Sequence, residues 1–257
     1  MNQTEKRLYL IRRLLAEEPR YRDVAVPGNT VDQKRLLRSL FNVRPPGAID
    51  GEFLTVQDEY LREETKAKGV TTLADLTPVL PEIYLWKGDI TTLACDAIVN
   101  AANSGLTGCY QPCHNCIDNC IHTFAGIQLR NACWELMEAQ GYEEPTGLAK
   151  ITPAFNLPSR FVIHTVGPIV GGELTKEHCD LLASCYRSCL GAAAEADCES
   201  IAFCCISTGV FGFPKQKAAE IAVRTVRDWK RERNSAIRVV FNVFNDADLA
   251  IYRSILG

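Results

Sequence analysis

Between Cys109 and Cys120 the chain carries four cysteines and a histidine on a polar stretch, CYQPCHNCIDNC. Thiolate and imidazole are the ligand types zinc prefers. Cys109, His114 and Cys116 have a Cys-x4-His-x-Cys spacing. Three protein ligands leave the fourth tetrahedral position to water or substrate, the arrangement of a catalytic zinc. Cys113 directly precedes His114, and adjacent residues seldom both reach one metal. Cys120 lies one helical turn after Cys116 and is within reach; with it the shell closes and the site becomes structural. Cys109-x3-Cys113-x2-Cys116 also has the spacing of a radical-SAM iron–sulfur motif, although Asn115 stands where such motifs usually place an aromatic residue. A metal-free cluster of buried thiols is the remaining alternative, and a loop this polar does not have core patterning.

Three further stretches carry polar or glycine-rich chemistry. Ser207-Thr208-Gly209-Val210-Phe211-Gly212-Phe213 runs from a strand into a helix. Its backbone can curl so that N–H groups face a phosphate, with the helix dipole behind them. It is neither a Walker loop nor a GxGxxG fingerprint, and a plain turn that needs glycine is the simpler account of it in isolation. Asp89, after Gly88, can accept from an adenine amino group or a hydroxyl, or simply cap the turn ahead of Thr91. Asn103 and Asp118 flank the cysteine loop. Asn103 can donate to a ribose hydroxyl; Asp118 can cap the following helix or orient an attacking water. His122 lies four residues after Asp118 on the same helix face. It and His164, set in an apolar strand, read as core or surface histidines, and His178 as a solvated one.

Hydrophobic periodicity supplies the elements that must hold these loops. Residues 1–70 pattern as helices: 2–17 with Leu8, Ile11 and Leu15 on one face, a second opened by a Thr30–Gln33 capping box, and a third over Gly51–Lys68 ended by Gly69. From Ile83 onward strands alternate with helices. Strands are expected at Ile83–Trp86, Ala97–Asn100, Ala149–Thr152, Phe161–Val166, Ser200–Ile206 and Ile237–Phe244. Helices are expected at 117–140, 175–196, Lys215–Arg231 and Asp246–Ile255. Such alternation predicts a largely parallel sheet covered on both faces, with ligands beyond the carboxyl ends of its strands. The loops after Trp86, Val99 and Ile206 lie at such ends, and Asn245 after Phe244 offers a fourth. The expected division is a helical extension over 1–72 and an α/β domain over 73–257.

Composition bounds the function. The chain has 257 residues, 47% hydrophobic and 23% charged, with a net charge of −3 and no basic block. The electrostatic footprint of a duplex-DNA binder is missing, so no nucleic-acid partner is expected. Apolar runs are too short for a membrane span, and the charge-interrupted start does not pattern as a signal peptide. With 12 cysteines and no export signal, thiols or metal ligands in a reducing cytoplasm are expected rather than a disulfide framework. Cys95, Cys133, Cys179, Cys185, Cys189, Cys198, Cys204 and Cys205 pattern as small buried hydrophobes.

Gly88-Asp89-Ile90-Thr91, Val99-Asn100-Ala101-Ala102-Asn103, the Ala125-Gly126 pair and Ser207–Pro214 occur in this order. Together they resemble the macrodomain family, which binds ADP-ribose, over roughly residues 80–257. The Cys/His loop replaces the glycine-rich stretch of most hydrolytic macrodomains and is similar to the zinc-dependent subfamily. That subfamily often occurs in microbes beside a sirtuin-type ADP-ribosyltransferase and tends to carry a helical N-terminal extension. The resemblance implies a three-layer α/β/α fold with a mixed, largely parallel sheet. It implies that Asp89 and Ile90 hold the adenine. Ser207, Thr208, Gly209, Val210 and Phe211 would cradle the diphosphate and distal ribose, and Asn103 would bind that ribose. Cys109, His114 and Cys116 would ligate one Zn2+. Ile117, Asp118 and Asn119 would line the same end of the cleft, with Asp118 and Asn103 as the catalytic pair. The implied activity is zinc-dependent removal of mono-ADP-ribose from protein side chains, aspartate or glutamate by expectation. Zinc has two roles open to it there, polarising the bond or lowering the pKa of water. The implied partners are ADP-ribose, a mono-ADP-ribosylated protein and the sirtuin-type transferase with its target. A reader that only binds ADP-ribose, with zinc ordering the loop, is the alternative; an iron–sulfur enzyme is a third.

Overall fold

The computed structural model describes residues 1–257. Three helices come first: α1 (Gln3–Glu17), α2 (Thr30–Val43) and α3 (Gly51–Lys68). They are followed in order by β1 (Thr71–Thr72), β2 (Pro78–Leu80), β3 (Ile83–Lys87), β4 (Leu93–Ala94), β5 (Ala97–Ala102), α4 (Ile117–Ala125) and α5 (Ile127–Gln140). The chain continues through β6 (Ala149–Pro153), β7 (Phe161–Val166), α6 (Lys176–Glu195), β8 (Ser200–Phe203), α7 (Lys215–Arg233), β9 (Arg238–Val243) and α8 (Asp246–Leu256).

The main sheet has seven strands in the order β2-β3-β9-β8-β5-β7-β6. Its five inner strands are parallel, and the edge strands β2 and β6 run antiparallel to their neighbours. The sheet is covered on both faces, so its central strands are continuous apolar runs rather than alternating ones. Register also brings two of the buried polar residues in these strands together. Asn100 of β5 pairs with His164 of β7, and side chains of paired residues share a face. Asn100 Nδ2 therefore lies 3.1 Å from His164 Nδ1, on the face that carries α4. Val99, one residue earlier, turns to the opposite face, where α6 and α8 set Tyr186 against Phe203 and Tyr252 against Phe241.

The first three helices enclose a second apolar core, with Leu10, Leu37, Phe41 and Phe53 at its centre. Each fully buried side chain of this kind contributes about 1.5–3 kcal/mol. One residue from outside these helices joins that core, Ile127 at the start of α5. The stripe on α1 falls on Leu10, Ile11, Leu14 and Leu15, with Leu8 half-buried. Beyond the helices, β1 pairs with β4 in a small parallel ladder.

Several local expectations are corrected. The capping residue of α2 is Asn29, whose side chain accepts from Asp32 N at 2.9 Å, in place of a Thr30 box; Gln33 turns inward to Arg7 and to the Pro27 carbonyl. The expected helix over 117–140 is two helices. Gly126, at φ +95°, breaks it, and the buried start of α5 is satisfied from α3: Gln57 Oε1 accepts the Ile127 N–H at 3.0 Å. A Cβ at Gly126 would lie 2.7 Å from the Gln57 and Gln128 side chains. The strand expected to reach Ile206 ends at Phe203, because the chain turns into the following loop with Ile206 N bonded to Cys204 O. The short strands β1, β2 and β4 have no hydrophobic period long enough to be read. Cys95, Cys179 and Cys205 are half-buried, whereas Cys133, Cys185, Cys189, Cys198 and Cys204 lie in the core. No helix is long and apolar enough to cross a membrane.

Candidate active site

The carboxyl ends of β3, β5 and β8 bring three loops to one edge of the sheet. The loop from β5 to α4 carries the thiols. The ligand atoms of Cys109, His114 and Cys116 all lie within 4.8 Å of one another, on half-buried side chains. Cys109 Sγ is 3.5 Å from His114 Nδ1. Zinc–sulfur and zinc–nitrogen bonds of ordinary length at the tetrahedral angle span about 3.6 Å, so the donor set fits that ion. Cys116 is also the N-cap of α4, its Sγ accepting from Asn119 N at 3.4 Å. The positive end of that helix favours a thiolate there, although in the chain alone burial pushes the Cys116 thiol up to about 12. Cys113 and Cys120 face α2 instead: Cys113 Sγ meets Ser39 Oγ at 3.2 Å, and Cys120 Sγ meets Arg38 Nη2 at 3.5 Å.

Asp118, in the first turn of α4, is 4% exposed. Cys116 occupies the capping position, so Asp118 is not the cap. Its Oδ1 accepts from Asn100 Nδ2 at 2.8 Å and its Oδ2 from Asn103 Nδ2 at 3.4 Å. Burial pushes its carboxyl up to about 6 against the pull of the Asn100 hydrogen bond and the Arg130 charge. His122 Nε2 lies 3.6 Å from Asp118 Oδ1. Burial, with His164 and Arg130 nearby, holds that imidazole well below its usual range and therefore neutral, so the two do not form an ion pair. His164 is likewise held down to about 3 by burial, and bonds Thr152 Oγ1 through Nε2 at 2.9 Å. Gly108, at φ +86°, passes close to His122; a Cβ there would sit 2.8 Å from the ring.

The other two loops face the same edge. Asp89 caps the 3-10 turn Ile90–Thr92, with Oδ1 accepting from Thr91 N at 3.0 Å and Thr91 Oγ1 at 2.6 Å. Its Oδ2 pairs with Lys68 Nζ at 3.3 Å. The Ile90 side chain is buried in the core, which leaves its backbone N–H as the group available to a ligand. In the loop after β8, the N–H groups of Ser207, Gly209, Val210 and Phe211 have no acceptor within the chain. Ser207 is buried at φ +63°, and Val210 is 80% exposed at the rim. Successive free N–H groups ahead of a helix form an anion cradle.

Asn119 differs from the expectation that it lines the cleft. It is fully buried, and its Nδ2 donates to the carbonyls of Cys109 and Gln111 at 3.3 and 2.9 Å. Ile117 is half-buried against the core, Asn103 is exposed, and Thr208 and Phe211 are half-buried. His178 closes a capping box with Thr175. Spacing does not reveal Lys68, whose ammonium lies 3.3 Å from the Phe124 ring centre as well as beside Asp89, because α3 carries no local signal of what it will face.

The Macro domain pattern matches residues 99–222. A curated Treponema medium protein named Protein-ADP-ribose hydrolase is 61% identical over 261 residues, covering 100% of both chains. The chain belongs to the macrodomain family. A Trypanosoma brucei macrodomain, solved in complex with ADP-ribose, is 31% identical to it, with a TM-score of 0.66 over 86% of this chain and 95% of that one. A Fusarium oxysporum protein named Probable bifunctional ADP-ribose hydrolase/ADP-ribosyltransferase is 40% identical over 248 residues, 89% of this chain and 42% of its own. The family's α/β sheet, with β5 leading into the Cys/His loop, sets the frame in which this macrodomain's thiols, Asp118 and the free N–H groups after β8 share one edge.

Proposed function

We propose that this macrodomain is a zinc-dependent protein-ADP-ribose hydrolase that removes mono-ADP-ribose from aspartate or glutamate side chains. The observation that carries the proposal is an open three-ligand group, Cys109, His114 and Cys116, on the loop whose end holds the buried, hydrogen-bonded Asp118. The name of the Treponema medium relative supports hydrolysis, and that of the Fusarium relative supports a functional link to an ADP-ribosyltransferase.

In this reading Asp89 and the Ile90 N–H hold the adenine, and Lys68 gives up Asp89 Oδ2 when the nucleotide arrives. The free N–H groups of Ser207, Gly209, Val210 and Phe211 bind the diphosphate. Asn103 binds the distal ribose and shares Asp118 with Asn100. This remote binding energy orients the scissile ester at the distal ribose. Cys109, His114 and Cys116 would hold the zinc, which would supply Lewis-acid assistance to the cleavage. Asp118, ionised above about pH 6, orients an attacking water and takes its proton. Water then adds across the ester, leaving ADP-ribose and the free carboxyl side chain.

The test is to present metal-assayed protein with aspartate/glutamate-, serine- and arginine-linked ADP-ribosyl substrates. Release from the carboxyl-linked substrate, lost in His114→Ala while the fold survives, is expected. A pure reader has no turnover to lose, and iron with sulfide in place of about one zinc per chain would replace the zinc reading altogether.

A further inference from the structure

Helix α2 reaches the metal loop from the far end of the chain, and its contacts fall on the backbone of the ligand-bearing segment. Arg38 Nη2 donates to the His114 carbonyl at 2.7 Å and to Asn119 Oδ1 at 2.9 Å. Asn119, oriented in this way, donates to the carbonyls of Cys109 and Gln111. One guanidinium thus fixes, directly or through one amide, the carbonyls of two ligand residues. One helical turn further on, the buried Asn42 Oδ1 accepts the Cys113 N–H at 2.9 Å, while its Nδ2 donates to Thr123 Oγ1 at 2.9 Å.

That second contact bears on strain. Cys113 sits at φ +54°, a left-handed conformation that costs a non-glycine residue of order 1–3 kcal/mol unless its surroundings enforce it. Asn42 holds its N–H, and Ser39 Oγ and the Arg35 carbonyl hold its Sγ at 3.2 and 3.4 Å. The next residue is His114, so this enforced turn sets the direction in which the imidazole leaves the backbone. Cys113, which has the right element for a ligand, instead acts as the pivot of the ligand loop.

We propose that Arg38 and Asn42 are positioning residues for the metal ligands, which makes α2 of the N-terminal helices a part of the metal centre. The inference rests on the zinc reading of the loop. Groups that orient metal ligands from behind typically change metal affinity 10–100-fold when removed. Arginine suits the task because its planar fork donates in two directions at once.

The experiment measures Zn2+ affinity of the full chain by competition with a chromogenic chelator, alongside calorimetric binding of ADP. ADP reports the adenine and diphosphate loops, which neither Arg38 nor Asn42 touches. Arg38→Ala and Asn42→Ala are expected to weaken Zn2+ binding 10–100-fold with ADP affinity held within about twofold. Arg35→Ala removes the same charge one turn away, from a residue that engages the loop through its carbonyl alone, and is expected to leave both affinities as they are. Wild-type Zn2+ affinity in both loop-facing variants overturns the proposal. An equal loss in Arg35→Ala, or a parallel loss of ADP binding, also overturns it, because charge alone or general unfolding then accounts for the effect. A wild-type chain that takes up no Zn2+ refutes the metal reading itself, an outcome separate from failure of the clamp.

Discussion

Asp118→Asn should make the metal-free protein more stable while abolishing most of its turnover. The carboxyl is buried at the start of α4, and burial lifts it from an ordinary 3.8 to about 6. Between those values the folded state keeps a proton that the unfolded chain has released, so wild-type stability falls as pH rises through that window and then levels off. The gap corresponds to about 3 kcal/mol above pH 6. Asparagine has the same shape and keeps an oxygen for the Asn100 Nδ2 that Asp118 Oδ1 accepts from, so the substitution removes the buried charge without opening a cavity. Urea unfolding of chelator-treated wild type and variant at pH 4, 6 and 8 tests this; the chelator matters because a bound dication adds its own charge beside Asp118. The expected result is a variant more stable by about 3 kcal/mol at pH 8, with the advantage gone by pH 4. Turnover on the carboxyl-linked substrate should fall about 10²–10⁴-fold, the usual worth of a positioned base. A variant less stable than wild type at pH 8, or a gain that does not change with pH, refutes the account of Asp118 as a buried charge held for chemistry.

Asp89→Ala should weaken ADP-ribose binding much more than it alters zinc content, since Asp89 lies on the β3 loop and outside the thiol group; unchanged affinity by calorimetry counts against the adenine assignment. Cys120→Ala should leave zinc bound, because its Sγ faces Arg38 rather than the ligand set; loss of zinc by metal analysis would make the site a closed four-ligand shell. His164, held down to about 3 by burial, stays neutral in the fold, while an unfolded histidine takes a proton below about 6.5. Stability on its account is full above 6.5 and falls by about 1.4 kcal/mol per pH unit below it. His164→Gln should flatten the acid limb of the unfolding curve by that slope, and an unchanged limb would show that the histidine is not buried neutral.

The convergence of Cys109, His114 and Cys116, the main strands and the turn after β8 were legible from residue order. Cys109, His114 and Cys116 lie within eight residues on one loop, so spacing alone nearly determines which side chains can converge. The strand periods, the capping glycine after α3 and the glycines after β8 are local devices too, and local propensity and pattern operate over a few residues. What only the tertiary structure decided depends on partners far away in sequence. Gln57 of α3 accepts the N–H of Ile127 and so satisfies the start of α5 where pattern alone continues one helix. Lys68 lands on Asp89 and Phe124. The β5–β7 register sets Asn100 between Asp118 and His164. Arg38 and Asn42 hold a loop more than seventy residues away. The side chains of Asn119 and Cys113 look like site residues by position, yet they turn inward to meet that helix. Which way a side chain turns follows from packing and register, and these exist only once the sheet and its helices have come together.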